Sequence, residues 1–340
     1  MKKHINIPIF IPHMGCPHNC IFCNQVKISG HSRPDFENIK NEIENALATT
    51  DPKKQEIQLA YFGGSFTGID RDDLEYLLKL GKSYIDSGKI DSMRCSTRPD
   101  YINEDIIGLL KENGMKTVEL GVQSCSDEVL RINERGHTSE QSERAAKLIV
   151  SSGMQFVGQM MIGLPGSDEE KEIATATRIS EWGASASRIY PCVVLKNTKL
   201  AEMTKEGRYV PLTITEAAER SEKAFEVFLN HGVDVIRIGL QSTDNLTDGS
   251  DIAFGEYSET IGEMCLSIYF EKLLRKKVSR ECCKGKILEV LVNPKRVSSV
   301  SGYRKVNKNR IIEEFGLIDM KIKGCSGIGE FDMRTTITGR

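Results

Sequence analysis

The sequence predicts an α/β fold: a partial (β/α)6 barrel of TIM type with an open side, followed by a small C-terminal α+β appendage. Three observations lead there. Short apolar runs alternate with amphipathic helical stretches as far as about residue 240, the pattern of repeated βα units around a parallel sheet. The 340 residues, 39% of them hydrophobic, suffice for one large domain and a smaller addition. Beyond about residue 250 the alternation stops.

The strand candidates are Ile5–Ile11, Glu56–Phe62, Ser92–Ser96, Thr117–Gly121, Met154–Ile162, Ser187–Tyr190 and Val233–Ile238. Between them, apolar residues three and four apart mark helices, as with Leu74, Leu77, Leu78 and Tyr84 in Asp72–Ser87. The other helices are expected over Phe36–Ala48, Glu104–Glu112, Ser139–Ser152, Ser167–Trp182 and Ile214–Asn230. Six or seven such units are too few for a closed eight-stranded barrel, and ligand-binding groups in these architectures gather at the C-terminal strand ends. Further on, a helix is expected over Ile252–Arg275, a strand over Ile287–Val292, a turn at Asn293-Pro294 and a second strand near Val297–Val306. The domain division expected is a core of residues 1–245 and a basic accessory region of 246–340.

The net charge of −2 conceals an asymmetry. From Glu271 onward there are 17 Lys and Arg against 8 Asp and Glu, a formal +9, which leaves −11 on the first 270 residues. A basic end on an acidic body suits nucleic-acid contact as well as a solvated surface. Lys295-Arg296, Tyr303-Arg304-Lys305 and the stretch from Lys308 to Arg310 set one aromatic among cations, a composition able to follow an RNA backbone and stack a base.

Ten cysteines point to disulfides only in a secreted chain. The run Ile5–Ile11 ahead of Cys16 imitates a lipoprotein signal, but Asn6 and Pro8 interrupt it and His13 sits close to the cysteine. No later stretch approaches the roughly 18 apolar residues of a membrane span. The expectation is a cytoplasmic protein without membrane partners, in which clustered thiols serve metal binding or catalysis.

Cys16-Pro-His-Asn-Cys20-Ile-Phe-Cys23 has the spacing CxxxCxxC and follows the first strand candidate. Three thiolates on one loop suit three irons of a 4Fe-4S cluster and leave the fourth iron open to another ligand. The alternative is a structural zinc completed by His13 or His18.

These residues, with Gly63-Gly64-Ser65-Phe66-Thr67, resemble the radical S-adenosylmethionine (SAM) superfamily. Within it they look like the group containing oxygen-independent coproporphyrinogen oxidase and the catalytic subunit of Elongator. Ser96-Thr97-Arg98-Pro99-Asp100, Glu119-Leu120-Gly121-Val122-Gln123-Ser124, Arg135-Gly136-His137-Thr138, Gly163-Leu164-Pro165-Gly166, Arg188-Ile189-Tyr190-Pro191 and Arg237-Ile238-Gly239-Leu240-Gln241 are similar to the Elongator side. The resemblance covers residues 5–245 and omits the acetyltransferase domain of that subunit.

The resemblance implies SAM chelated to the open iron, one-electron cleavage to a 5′-deoxyadenosyl radical, and an external flavodoxin or ferredoxin as electron donor. It implies SAM contacts from Phe22, Gly63, Gly64, Ser65, Thr97, Gln123, Arg135 and Gln159. Gln123 and Gln159 are expected at the ribose and Arg135 at the SAM carboxylate. Gly63 and Gly64 would let backbone carbonyls approach the SAM ammonium. An RNA-modifying transferase acting on tRNA or another RNA is the leading expectation. A radical enzyme acting on a tetrapyrrole-like small molecule and a non-catalytic cofactor carrier or zinc-stabilised interaction protein are the alternatives.

Cys95, Cys125 and Cys192 lie near strand ends, where a structural role outweighs a nucleophilic one. Cys265, Cys282, Cys283 and Cys325 lack CxxC spacing and read as small hydrophobes. His137 is equally suited to orienting a neighbour and to proton transfer.

Overall fold

The computed structural model describes residues 2–11, 16, 18–24, 35–278 and 283–339. In chain order the elements of the first part are β1 (Lys3–Ile11), α1 (Phe36–Leu47), β2 (Gln55–Gly63), α2 (Arg71–Asp86), β3 (Ser92–Thr97), α3 (Glu104–Glu112), β4 (Met115–Gln123), α4 (Asp127–Ile132), α5 (Ser139–Ser151), β5 (Gln155–Ile162), α6 (Glu169–Glu181) and β6 (Ala186–Pro191). Then come β7 (Val194–Leu195), α7 (Lys199–Lys205), α8 (Ile214–Asn230), β8 (Asp234–Ile238), α9 (Asp244–Thr247), β9 (Ile252–Phe254) and α10 (Ile261–Lys277).

All seven strand candidates of the body are strands. They form one sheet in the order β1-β2-β3-β4-β5-β6-β8, every neighbouring pair parallel, a partial barrel of seven strands. The helices start where side chains can accept from orphan backbone N–H groups: Asp70 caps α2, Asn103 caps α3, and Thr138 with Gln141 forms a capping box on α5.

Alternation along the strands divides the sheet into two faces. Ile57, Leu59, Tyr61, Met93, Val118, Leu120, Phe156 and Ile189 join Leu74, Leu77, Leu78 and Ile179 in the core beneath the helices. The intervening positions point to the concave face, and several are polar. Phe62, Arg94, Glu119, Gln159 and Arg188 occupy that face on five successive strands.

The small C-terminal part contains β10 (Ile287–Val292), α11 (Val297–Ser301), α12 (Val306–Phe315), β11 (Asp319–Gly324) and β12 (Met333–Thr338). Its sheet has the order β11-β10-β12, with β11 parallel and β12 antiparallel to β10. Helix α10 fastens the two parts together, because Cys265 and Leu266 enter the first core and Phe270 and Leu274 the second.

Two expectations fail here. The helix expected over Ile252–Arg275 begins only at Ile261: Gly255 takes a φ of +78°, and Ile252–Phe254 pairs antiparallel with β7. The strand expected near Val297–Val306 is helical, because Val300 and Ile311 are buried in the second core from helices α11 and α12. Tertiary burial overrides the β preference of the valines. None of the described helices is long and apolar enough to cross a membrane.

Candidate active site

The segment carrying Cys16, Cys20 and Cys23 lies at the C-terminal end of β1, and its backbone is tied down from three sides. Ile21 N–H donates to Asn133 O at 3.3 Å, Leu200 N–H donates to Ile21 O at 2.9 Å, and Asn24 Nδ2 donates to Lys196 O at 2.8 Å. Asn133 in turn donates to Pro165 O at 3.0 Å, which joins the cysteine segment to the Gly163–Gly166 turn. At Gly136, with φ +72°, a Cβ would come within 2.3 Å of the His18 ring, so this glycine lets the two motifs meet.

Arg135 connects the thiols to the sheet. Its Nη1 donates to Cys20 Sγ at 3.1 Å, and its Nη2 donates to Gly121 O at 2.8 Å. Arg98 is held by Asp100 through two hydrogen bonds of 3.0 Å and donates to Arg135 O. Burial pushes the Cys16 thiol above its ordinary range, while Arg98, Arg135 and a backbone hydrogen bond at Ser65 pull the other way. Arg98 and Arg135 thus place two guanidiniums beside the cysteine segment.

The strand ends supply the remaining groups. Ser65 Oγ and Thr67 Oγ1 both reach Thr97 Oγ1, at 2.8 and 2.6 Å, and Arg98 N–H donates to Ser65 Oγ at 3.2 Å. This hydroxyl chain locks the ends of β2 and β3 together. Gly63 has φ +122°, and a Cβ there would lie 2.0 Å from Ile11 O. Its lack of a side chain thus serves the packing of β2 on the end of β1. Phe22 is half-buried between two small apolar clusters, one around Val194 and Leu200 and one around Val129 and Leu164.

Gln123 ends β4 after a register shift and adopts φ +65°, a conformation costing a non-glycine residue about 1–2 kcal/mol. Its buried Oε1 has no donor among the described residues. Arg135 Nε and Arg98 Nη1 likewise have no acceptor among the described residues. Burial, with Arg135 and Arg98 nearby, pushes the His137 pKa down to about 3, so its imidazole is neutral at physiological pH. Each unsatisfied buried group costs about 1–3 kcal/mol, which marks the cluster as built for a ligand. An unpaired acceptor beside unpaired cationic donors suits a molecule offering both hydroxyls and a carboxylate. SAM offers both, and three thiols next to cations suit an iron-sulfur cluster, so the residues present fit both groups.

Gln159 stands apart from this arrangement. Its Nε2 donates to Glu119 Oε2 at 3.0 Å, in a buried network with Arg94 and Arg188. The sequence reading assigned that network no role, although charged residues inside otherwise apolar strands were its visible signal. Burial pushes the Cys125 and Cys192 thiols up to about 12 and raises those of Cys95 and Cys265, so none is a nucleophile at neutral pH. Cys283 is buried in the second core, and Cys282 and His13 lie outside the described residues.

The chain is 35% identical over 158 residues to a tRNA uridine(34) acetyltransferase of Methanocaldococcus jannaschii, a match covering 46% of this chain and 29% of that one. It is 32% identical over 222 residues to an uncharacterized protein of the same organism, covering 61% of this chain and 67% of the relative. The solved structure of the archaeal Methanocaldococcus infernus Elp3 superposes with a TM-score of 0.64 at 22% identity, covering 84% of this chain and 66% of that one, and shares the fold. The chain therefore spans under a third of the acetyltransferase it matches. The Radical_SAM C-terminal domain matches residues 184–266. With the Radical SAM superfamily matching residues 10–179, from the end of β1 through α6, the chain belongs to the radical SAM superfamily.

Proposed function

We propose that this chain is an enzyme in which Cys16, Cys20 and Cys23 hold a 4Fe-4S cluster, SAM binds beside them, and a nucleotide in tRNA or another RNA is modified. The observation that carries the reading is Arg135, which joins Cys20 Sγ to the end of β4 next to the unpaired Gln123 Oε1. A 4Fe-4S cluster held by Cys16, Cys20 and Cys23 would supply one-electron reductive cleavage of a carbon–sulfur bond of SAM, the electron coming from an external donor. Arg135 holds one ligating sulfur by a charge-assisted hydrogen bond, which favours the reduced, more negative state of the metal centre. Gln123 Oε1 accepts from a ribose hydroxyl, Arg98 and Arg135 bring positive charge toward the SAM carboxylate, and Phe22 closes the apolar side. Ser65 and Thr97 act through the hydroxyl chain that sets the ends of β2 and β3.

RNA as the substrate draws support from the tRNA relatives and from the C-terminal region. There Lys295 and Arg296 pair with Glu330, Lys308 with Asp319 and Arg310 with Glu271. Arg304 and Lys305 have no ion-pair partner among the described residues, and Arg304 lies 5.2 Å from the ring centroid of Tyr303, which is 78% exposed. Both cations take left-handed backbone angles, which carry them out on a tight turn. We assign residues 1–245 the chemistry and 246–340 the holding of RNA.

The test is anaerobic reconstitution followed by incubation with SAM and dithionite, read by EPR and by 5′-deoxyadenosine. RNA nucleosides from a deletion strain and its parent are compared in parallel by mass spectrometry. A cluster signal, deoxyadenosine and a missing nucleoside modification are expected. Deoxyadenosine with unchanged nucleosides would point to a small-molecule substrate, and no deoxyadenosine would refute catalysis.

A sharper result is expected for Gln123→Gly. Glycine removes the left-handed strain and the unpaired Oε1, while adding about 0.5–1 kcal/mol of unfolded-chain entropy. Stability in urea should therefore be equal or higher. SAM affinity, read by equilibrium dialysis on the cluster-loaded protein, should fall about tenfold, the loss of one ribose hydrogen bond of about 1.5 kcal/mol. Lost stability with unchanged affinity would remove Gln123 from the cofactor site.

A further inference from the structure

Below the cofactor residues, the concave face carries a second polar cluster that the cofactor assignments leave unexplained. Glu119 of β4 is fully enclosed. Its carboxylate accepts from Arg94 of β3, from Arg188 Nε and Nη2 of β6 at 2.9 and 3.1 Å, and from Gln159 Nε2 of β5 at 3.0 Å. A carboxylate offers about four acceptor positions, so these donors saturate it. Its single negative charge faces two guanidiniums.

The accessible end of the cluster is on the Arg188 side. Arg188 opposes Arg237 in the β6–β8 register, so the next strand adds a third cation rather than a carboxylate. Arg188 also reaches toward β2, with its guanidinium carbon 5.9 Å from the Phe62 ring. The Arg188 side chain is 13% exposed, whereas Arg94 is buried and its Nε has no acceptor among the described residues. Burial works against the charge on both arginines. It lowers the Arg94 pKa despite Glu119, but at Arg188 the nearby Tyr190 and Glu119 outweigh it.

Glu119 precedes Gly121 by two residues on the same face, roughly 7 Å along the strand. Gly121 O is the acceptor of Arg135. The cationic cluster thus lies one layer deeper in the barrel than the cofactor contacts, on the same concave face.

We propose that Arg188, fixed by Glu119 and flanked by Arg237, is a binding site for an oxyanion of the substrate, a phosphate or a carboxylate. Arg188 spends Nε and one Nη2 proton on Glu119, and the donors left at its Nη1 end suit either group. The assignment rests on the radical SAM reading only in naming the substrate as owner of the anion.

The full-length, cluster-loaded chain is unfolded thermally in chloride, inorganic phosphate, acetate, uridine and uridine 5′-monophosphate at matched ionic strength. No SAM or reductant is present, so a failure of SAM cleavage leaves this test standing. A ligand that binds the native state alone raises the midpoint with its concentration. Phosphate or acetate should raise it beyond chloride, and Arg188→Gln should weaken that response at least tenfold. Arg188→Lys, which keeps the charge but not the fork, should fall between and serves if the glutamine variant does not fold. A stronger response to the nucleotide than to uridine or acetate identifies a phosphate ester, and a stronger response to acetate a carboxylate. Midpoints equal to those in chloride, or an undiminished response in both Arg188 variants, would overturn the proposal.

Discussion

Cys20→Ser is expected to fold normally and to make no 5′-deoxyadenosine. Cys20 is buried, and its sulfur is the acceptor for Arg135 Nη1. A serine hydroxyl is smaller and still accepts from the guanidinium, so the segment keeps its link to β4. The backbone ties through Ile21 and Leu200 do not involve the side chain at all. What serine cannot provide at neutral pH is a thiolate, and iron-sulfur clusters are held by thiolates. The thermal midpoint should shift by only a few degrees, as for a change of about 1 kcal/mol. Iron, sulfide and broad visible absorbance should all fall to background.

Cys125→Ser and Cys192→Ser provide the contrast. Both thiols are pushed up to about 12 by burial and stay protonated, so both variants should retain cluster and turnover. Metal and sulfide analysis of the three variants decides the matter. A Cys20→Ser protein with wild-type sulfide would take Cys20 out of the ligand set. A Cys20→Ser protein that does not fold would make the segment a structural staple.

These contrasts also explain how much was legible in advance. The βα alternation located all seven strands of the parallel sheet, though not the short β7–β9 pair, because a parallel strand covered by helices reads as an apolar run bounded by turns. The cysteine spacing singled out the candidate metal segment for a similarly local reason: three candidate ligands within eight residues need no knowledge of the fold. Gln123 and Arg135 came from resemblance, and the geometry adds what no local pattern carried, that one guanidinium joins Cys20 to Gly121. Gly63 was expected to make room for the cofactor, whereas its closest neighbour is Ile11 O, across a pairing of strands about fifty residues apart in sequence. Val297 and Val300 looked like a strand because their helical burial depends on α12 and β11, elements the local pattern did not include. Glu119 and Arg188 were visible as charges within strands, but their pairing needs the register of β4, β5 and β6.

Glu119→Gln should then be among the most destabilising single changes in the body, although it alters one atom. Glutamine fills the same space and keeps an oxygen for Arg188 or Arg94, but its amide nitrogen is a donor where another donor already points. Two guanidiniums are left enclosed with no counterion, with Gln159 Nε2 beside them. Breaking a buried ion pair from one side costs about 3–5 kcal/mol, and the enclosure keeps added salt from screening the repulsion. Removing a cation instead should cost far less. In Arg188→Gln, Arg94 and Gln159 still satisfy Glu119, and the surplus charge is gone. Urea unfolding of the two single variants and the double variant decides this. The expected order of stability places Arg188→Gln near wild type, Glu119→Gln well below it, and the double variant between them, because removing the second cation relieves part of the repulsion. Equal losses in both single variants would mean that the network acts by packing and shape. In that case its charge imbalance has no energetic consequence.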